Sequence, residues 1–449
     1  MSRILDQGCP FSQSQIWELQ LLAYRAFGLE AWSKEGVPFY VTSNPWIAKQ
    51  YALVVAGFLE DRDPKETVTI FDLGAGTGKF AYLFLKTFFE MVPAAPIRYV
   101  MTDTVAANRT FLQEHPKLKE FGDVIEVVDF HHAQKEPPVP FTGPCVVIAN
   151  YFFNIIPQDY YKIEAGKLYE GQLVIETDWE DLTDPHLIQH LTTSFAYAPF
   201  DSKTISKEDL EILRGYEKEL KNSHFFYPRP AFDVLRLFGE DLLLLSADQG
   251  LATLQQMEQA PPPRISVQGC LSLPVCYEAM ARFFVQQGGI SLLPSNPSTA
   301  FIPFAGILGE CPFPKTARAY KEGIAAFEPI DYVNLITYIL KECPQPSLDL
   351  LNTLLKLGMS DGVNFHTFFE SIRKVLPTAS QTAKESLKHH IQTAVDTFYP
   401  IAPDDGNFLL NLGVLLFEMG DRPAAKALFQ QAQKWGADPQ LVSKNINAC

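Results

Sequence analysis

Cysteine is scarce in this sequence, and its seven copies are scattered along 449 residues. No two of them form a C-x-x-C pair, and the shortest interval, from Cys270 to Cys276, is too wide for the usual zinc knuckle. An odd, dispersed set is typical of reduced thiols in a cytosol-like compartment. The histidines and acidic residues add no ligand cluster, so the sequence predicts no metal site.

Positive charge and long apolar runs are also limited. The chain has 37 basic against 52 acidic residues, a net charge of -15, and no dense run of lysine or arginine. Nucleic acids and anionic membranes both require a cationic face, so we predict neither as a partner. No apolar stretch is long enough to span a bilayer, and the first residues lack the pattern of a secretory signal. We therefore expect a cytoplasmic protein.

The order of hydrophobic patterns indicates several domains, as the length of the chain requires. The apolar spacing predicts helices through residues 14–34 and 45–61, and a buried strand at VTIFDLG starts an alternation of strands and helices that is typical of a parallel α/β sheet. After a segment rich in proline and glycine, the pattern becomes helical throughout. We predict N-terminal helices over 1–66, an α/β domain over 67–305 with a helical insertion or cap at 179–238, a linker over 306–327, and a helical domain over 328–449.

One glycine loop stands between the first buried strand and the helix that follows it. It reads Asp72-Leu73-Gly74-Ala75-Gly76-Thr77-Gly78. A Walker loop has four residues between its first glycine and its Gly-Lys pair, whereas only three separate Gly74 from Gly78, so this loop is not a Walker loop. A dinucleotide-binding loop reads G-x-G-x-x-G, whereas this one reads G-x-G-x-G, so that alternative fails as well. An acid two residues before G-x-G-x-G is similar to the loop of class I methyltransferases. The similarity implies S-adenosylmethionine (SAM) as cofactor, bound by Asp72, Gly74, Ala75, Gly76, Thr77 and Gly78.

Two further acids follow the loop at the ends of the next two strands. Asp103 ends IRYVMTD, where a carboxylate can accept hydrogen bonds from both ribose hydroxyls, and Asp129 ends VVD, where it can accept from the adenine amino group. Phe130 is expected to supply a flat apolar contact to the base, and Asp72 to favour the ammonium group of the ligand. The sequence thus predicts the seven-stranded, Rossmann-like α/β sheet of class I methyltransferases.

Residues 37–290 resemble the MidA-like methyltransferases, which include the mitochondrial complex I assembly methyltransferase. The collinear blocks are VPFYVTSNPWIAKQYALVVAGFLED, DLGAGTGKF, NYFFNIIP, LLLLSADQG and, more faintly, LSLPVCYEAMARFFVQQGG. The resemblance implies methylation of arginine in protein substrates. The family places glutamate where this chain has Tyr151, and aspartate where it has Asn154. A guanidinium therefore loses both of its expected carboxylate partners, and Tyr151 can instead hydrogen-bond a neutral acceptor.

The candidate catalytic residues are Asn150, Tyr151 and His131. Asn150 is also a candidate cofactor ligand, because it ends the fourth strand, PCVVIAN. His131, which lies two residues after Asp129, is a candidate base, since an amine or hydroxyl acceptor can require one. Three functions remain open: a methyltransferase acting on a protein, a small-molecule O- or N-methyltransferase, and a decayed fold that serves as a SAM-binding scaffold.

The C-terminal helices resemble a tetratricopeptide unit at one place. In FLLNLGVLLFEMGDRPAAKALFQQAQKWGADP, small and large residues alternate as they do in paired antiparallel helices, with Gly413 and Ala425 small and Phe429 large. Such stacked pairs present a concave surface to extended partners. We therefore predict that residues 328–449 form an all-α, tetratricopeptide-like domain that recruits a protein substrate or partner.

Overall fold

The computed structural model describes residues 3–30, 40–62, 67–258, 260–263, 265, 271–310 and 312–449. The contacts divide the chain into two compact units. The first unit comprises Met1–Thr42, Gln50–Ala81 and Leu85–Ala326, and the second comprises Ser43–Lys49, Tyr82–Phe84 and Phe327–Cys449. Cys270 and Cys311 lie outside the described residues, and Cys9, Cys145, Cys276, Cys343 and Cys449 are free thiols.

The strands form two larger sheets and one short pair. Their bounds are β1 Arg3–Pro10, β2 Val68–Asp72, β3 Ile97–Thr102, β4 Ile125–Val128, β5 Cys145–Ile148, β6 Asp159–Glu164, β7 Lys167–Thr177, β8 Thr192–Pro199, β9 Asn222–Tyr227, β10 Leu242–Asp248, β11 Gly250–Leu251, β12 Val275–Cys276, β13 Ile290–Leu292 and β14 Ile302–Ile307.

The central sheet has seven strands in the order β13-β14-β10-β5-β2-β3-β4. All neighbouring pairs are parallel except those of β14, which runs antiparallel to both β10 and β13. All five residues of β2 are buried, as expected for an apolar run that is covered on both faces of a parallel sheet. The order and the single reversed strand are those of the class I methyltransferase sheet, so the predicted fold class is confirmed.

Helices connect these strands and make up most of the second unit. Their bounds are α1 Ile16–Phe27, α2 Pro45–Glu60, α3 Lys79–Met91, α4 Ala106–Glu114, α5 Pro116–Lys119, α6 Lys207–Glu219, α7 Arg229–Arg236, α8 Leu254–Met257, α9 Tyr277–Gln286, α10 Pro314–Glu322, α11 Pro329–Glu342, α12 Leu348–Leu357, α13 Gly362–Val375, α14 Gln381–Asp396, α15 Gly406–Glu418, α16 Arg422–Lys434 and α17 Pro439–Ala448. Short 3-10 turns cover Phe11–Gln13, Tyr40–Thr42, Gly122–Val124, Pro185–His190, Ser202–Thr204 and Leu376–Thr378. Part of the first predicted helix and part of the first MidA-like block fall at 31–39, outside the described residues.

The expected helical cap at 179–238 is wrong in its secondary structure. This segment supplies two strands, β8 and β9, to an antiparallel sheet in which β7 pairs with β1, β6 and β8, and β6 also pairs with β9. Residues of β8 alternate between exposed and half-buried over much of its length, which is the period of a strand with one covered face. The segment is mostly polar, so this alternation could not be recognised in the sequence. The α-helices that the structure shows in this segment are α6 and α7.

The predicted linker at 306–327 is also wrong. Its first residues complete β14, whose six residues are all buried, and α10 lies within it. Gly306 lies against the ring of Phe284, where a Cβ would stand 2.3 Å from a ring carbon. Glycine here permits close packing of a strand on a helix and does not indicate a flexible connection.

The second unit has its own hydrophobic core, formed by helices α11 to α17. Helices α15 and α16 pack closely, since a Cβ on Gly413 would stand 2.5 Å from a ring atom of Phe429. The close approach is the one that the small residues predict, while the tetratricopeptide assignment stays a prediction. Within the described part of the chain, no helix has both the length and the apolar character that crossing a membrane demands.

Candidate functional site

The glycine loop lies at the carboxyl end of β2, beside β5. From β2 the chain continues outward to β3 and β4 and then returns to β5 on the other side, so the strand order reverses here. Such a reversal opens a crevice outside the carboxyl ends of the strands, which is where open α/β sheets bind ligands. The fold therefore places the predicted loop at the position that suits a ligand best.

The backbone of the loop adopts conformations that favour glycine. Gly74, Gly76 and Gly78 have φ angles of +69°, +54° and +75°. The amide of Gly74 donates to Thr102 Oγ1 at 3.2 Å, and that of Ala75 to the Thr102 carbonyl at 2.8 Å. The loop is thus fixed to the end of β3, and its missing side chains leave a cradle for a ligand.

Asp72 is a buried carboxyl group beneath this loop. Tyr99 donates a hydrogen bond from its hydroxyl to Asp72 Oδ2 at 3.0 Å. Burial raises the pKa of Asp72 to about 7, although the bond from Tyr99 lowers it. A cationic group of a ligand would favour the ionised form of this carboxyl, which is the role predicted for Asp72.

Asp103 connects the loop to α4. One carboxylate oxygen accepts from the Val105 amide at 2.7 Å and the other from Asn108 Nδ2 at 3.2 Å. Burial raises its pKa to about 6, against hydrogen bonds that include one from the Gly76 amide. The carboxylate therefore lies next to the second glycine of the loop, beside the cradle, as is expected of a ribose ligand.

Asp129 and Phe130 lie one strand further along the sheet. Asp129 is exposed and pairs with Arg109, whose Nη1 lies 2.8 Å from its carboxylate and 2.9 Å from the Asp103 carbonyl. Phe130 is only 3% exposed and belongs to the core beside Phe71. Its burial favours a packing role over the predicted contact with a base.

Asn150 and Tyr151 face the glycine loop from the end of β5. The ring of Phe152, two residues beyond Asn150, lies 3.3 Å from the position that a Cβ on Gly74 would take. The Asn150 amide oxygen accepts a hydrogen bond from the Tyr51 hydroxyl at 2.7 Å, and its nitrogen is buried without a partner. Tyr151 has a φ of +48°, a conformation that a bulky residue rarely adopts and that clusters at functional sites.

Neutral groups surround this end of β5. Burial and the nearby Asp248 carboxyl raise the pKa of Tyr151, so its hydroxyl stays protonated at neutral pH. Burial also raises the pKa of Asp248, which is inaccessible to solvent. Asn154 is buried, and its amide donates to Ser272 Oγ at 2.8 Å. The end of β5 is thus surrounded by largely buried hydrogen-bonding groups with little charge.

His131 does not lie with Asn150 and Tyr151. It follows β4, three strands away from β5, which corresponds to about 14 Å across the sheet. Its ring centroid is 4.1 Å from that of His132, and burial lowers the pKa of both rings, that of His132 to about 4. The structure therefore separates this candidate base from the other two catalytic candidates. Among the described residues no group of three or more metal-ligating side chains is present.

Several residues at the site escaped the sequence analysis. Tyr51, Tyr99 and Asp248 are buried and carry polar groups that meet predicted site residues. The polar end of a tyrosine in an apolar helix or strand is a signal for a buried hydrogen bond, but it does not identify the partner. Asp248 is the last residue of a strand, and this position could have indicated a site residue, because ligands of α/β sheets bind at the carboxyl ends of strands.

The sequence of this region matches one family model. Residues 47–240 match the family described as "Putative S-adenosyl-L-methionine-dependent methyltransferase". The chain contains a SAM-dependent methyltransferase domain. The glycine cradle and the unpartnered amide of Asn150 fit SAM, which is therefore the cofactor of the domain. The finer resemblance to MidA-like enzymes stays a prediction.

Solved structures give partial similarities. A protein from Burkholderia thailandensis bound to S-adenosyl-homocysteine (SAH) is 17% identical, with 70% of this chain and 91% of that chain covered and a TM-score of 0.46. Magnesium protoporphyrin IX methyltransferase from Synechocystis PCC 6803 is 10% identical, with 64% and 96% covered and a TM-score of 0.30. No curated protein matches the sequence.

The residues of the methyltransferase domain have distinct tasks in methyl transfer. When bound, SAM supplies a methyl group that its sulfonium already activates, so the main work of the protein is to position the reactants. Gly74, Gly76 and Gly78 would give the cofactor room, Asp103 would hold its ribose, and Asp72 would face its ammonium group. Asn150 and Tyr151 follow the end of β5 and stay candidates for contact with the cofactor or the nucleophile, since both can form hydrogen bonds.

The pH dependence of cofactor affinity tests the role of Asp72. Its pKa is raised on folding, so Asp72 favours the folded state at low pH, and that contribution is lost as the pH rises from about 4 through about 7. The ionised form is the one that attracts an ammonium group, so calorimetry should show SAM affinity rising roughly fivefold from about pH 6 to about pH 7.5, below the pKa of the α-amino group of the ligand. Asp72→Asn should remove most of this rise. 5'-Methylthioadenosine, which lacks the ammonium group, should show little of it, and an equal rise for both ligands would contradict the role.

Proposed function

We propose that this protein is a SAM-dependent methyltransferase that modifies a protein side chain, and that its second unit recruits the substrate. The observation that carries the proposal is a cavity in the second unit, separate from the residues that form the cofactor site. The cavity measures about 210 Å³ and is lined by residues of α13, α15 and the turn before α15. Helical units of this kind commonly bind extended peptide segments.

The lining of the cavity suits a basic segment of a partner. Phe365, Phe369 and Phe408 give it aromatic walls, and Asp404 and Asp405 give it negative charge. Asp405 already accepts hydrogen bonds from two backbone amides, whereas Asp404 is exposed. Aromatic faces beside carboxylates attract lysine and arginine side chains. A positively charged stretch of the substrate is therefore the expected occupant.

The acceptor end of the crevice favours a neutral group. Tyr151 and Asn154 carry no charge, and burial raises the pKa of Asp248, which disfavours the ionised form of that carboxyl. A guanidinium would need an ionised carboxylate as its partner. An amide, a hydroxyl or a deprotonated amine matches these groups better, so we propose a neutral side chain as the methyl acceptor.

Methyl transfer from radiolabelled SAM to a cell lysate tests this proposal. The full chain should label protein, while a Gly76→Val variant, with its cofactor loop blocked, should not. Label confined to small molecules would replace the proposal with a small-molecule methyltransferase. SAM binding without any transfer would indicate a scaffold, and either result would overturn protein methylation.

Charge reversal in the cavity tests recruitment. Asp404→Lys should reduce methylation of the labelled protein about two- to fivefold, because a charge at the rim of an interface is worth roughly 0.5–1 kcal/mol. The effect should appear in KM and not in SAM affinity. Glu342→Lys makes the same charge change in the same unit outside the cavity and should leave methylation unchanged. Equal losses in both variants would show that the net charge matters and the cavity does not.

A further inference from the structure

Tyr51 is a buried polar residue of α2. It is 1% exposed, and its apolar neighbours along the helix, such as Val54, Val55 and Phe58, are fully buried as well. A phenylalanine would satisfy packing alone. The hydroxyl instead donates to Asn150 Oδ1 at 2.7 Å, a short and direct bond across 99 residues of sequence.

This bond determines which end of the Asn150 amide remains available. The Tyr51 hydroxyl is buried and needs an acceptor for its proton, which Asn150 Oδ1 supplies. If the amide were reversed, both the tyrosine proton and the amide oxygen would lose their partner. The orientation observed leaves only Nδ2 unpartnered, as a buried donor at the end of β5. Buried donors without partners are rare, and at a ligand site they indicate an acceptor that the ligand brings.

Tyr51 also lies against the other side of the crevice. Its ring packs edge-on against Phe80 in the first turn of α3, with centroids 5.6 Å apart. The Asp72 carboxyl is near enough to raise the pKa of the Tyr51 hydroxyl further, beyond the effect of burial. Tyr51 thus meets the helix after the glycine loop, the acid before it and the asparagine opposite. This cluster surrounds the end of the crevice where Asp72 would hold the cofactor's ammonium group.

We propose that Tyr51 is a positioning residue, which fixes the Asn150 amide so that Nδ2 donates to the carboxylate of the cofactor's methionine end. The ammonium and carboxylate of that end share one carbon, so a partner for each is needed at the same place. Asp72 would serve the ammonium and Asn150 the carboxylate. The inference rests on SAM being the cofactor, and it concerns its amino-acid end only.

The test is a double-mutant cycle measured by calorimetry with SAH and with 5'-methylthioadenosine, which lacks the amino-acid end. Tyr51→Phe should weaken SAH binding about three- to tenfold, the value of one oriented hydrogen bond, and leave 5'-methylthioadenosine within about twofold. Asn150→Ala should weaken SAH at least as much. In the Asn150→Ala background, Tyr51→Phe should have no further effect, because its route of action is gone.

The control is Tyr332→Phe. Tyr332 makes the same kind of bond, from a buried hydroxyl to the Leu354 carbonyl at 2.7 Å, within the second unit, and its loss should not change SAH affinity. An unchanged SAH affinity in Tyr51→Phe, an equal loss for both ligands, or an effect that persists without Asn150 would each overturn the proposal. Failure of the unmodified protein to bind SAH would instead contradict the cofactor assignment itself.

Discussion

Gly76→Val should abolish binding of SAM and leave the protein folded. Gly76 has a φ of +54°, a region that β-branched residues almost never occupy. Its amide is also near enough to the Asp103 carboxylate to lower the pKa of that group, so a shift of the backbone at residue 76 would disturb the expected ribose site as well. The valine side chain adds bulk to the cradle, and relief of its backbone strain, about 1–3 kcal/mol, requires the loop to move.

Calorimetric titration with SAM measures this effect, and thermal unfolding measures the cost of the strain. Gly239→Val is the matched control, because Gly239 also has a positive φ, +78°, and an added Cβ there would meet nothing within 4 Å. Both variants should lose similar stability, but only Gly76→Val should lose SAM. A folded Gly76→Val protein with unchanged SAM affinity would refute the assignment of the loop.

The cofactor loop could be predicted from sequence because its determinants are local. Three glycines with positive φ, an acid at the end of a strand and a helix start all lie within residues 72–79. Positive φ is a property of single residues, so the pattern of glycines reports it directly. The carboxyl ends of parallel strands then bring Asp72 and Asp103 to one edge of the sheet without any knowledge of distant contacts.

Residues that act through distant contacts were not predictable in this way. The bonds of Tyr51 with Asn150 and of Tyr99 with Asp72 join residues 99 and 27 positions apart. The second sheet depends on a still longer connection, since β1 pairs with β7. The residues around one member of such a pair do not identify the other member. Strand pairing in particular depends on the tertiary fold as much as on the propensity of each strand.

The case of His131 shows how closeness in sequence can mislead. It follows Asp129 by two residues, which suggested a base beside the cofactor. The end of β4, however, is on the far side of β3 and β2 from Asn150. Different parts of a bound ligand lie over the ends of different strands of a parallel sheet. The order of the strands therefore decides which side chains can contact the same part of the ligand. The strand order shows that the residues after β4 and those after β5 lie at different ends of the crevice, and closeness in sequence to Asp129 could not show this.

Asp103→Ala should weaken SAM binding by about 1.5–3 kcal/mol, or roughly 10- to 150-fold, as expected for hydrogen bonds to a charged group. The structure adds a second effect, because the carboxylate also accepts from the Val105 amide before α4 and from Asn108. Loss of these two bonds lowers the free energy of unfolding by about 1 kcal/mol for each bond. The two effects must therefore be separated.

A ligand and a control variant make that separation. A SAH analogue without both ribose hydroxyls should bind the original protein and Asp103→Ala with nearly equal affinity, since the interaction that Asp103 supplies is already missing. Asp361→Ala removes a bond of the same kind, in which the carboxylate accepts from the amide two residues later, that of Val363, at 2.9 Å within the second unit. It should lower thermal stability without changing SAH affinity. If Asp103→Ala weakens SAH and the analogue by the same factor, the carboxylate supports the loop and does not hold the ribose.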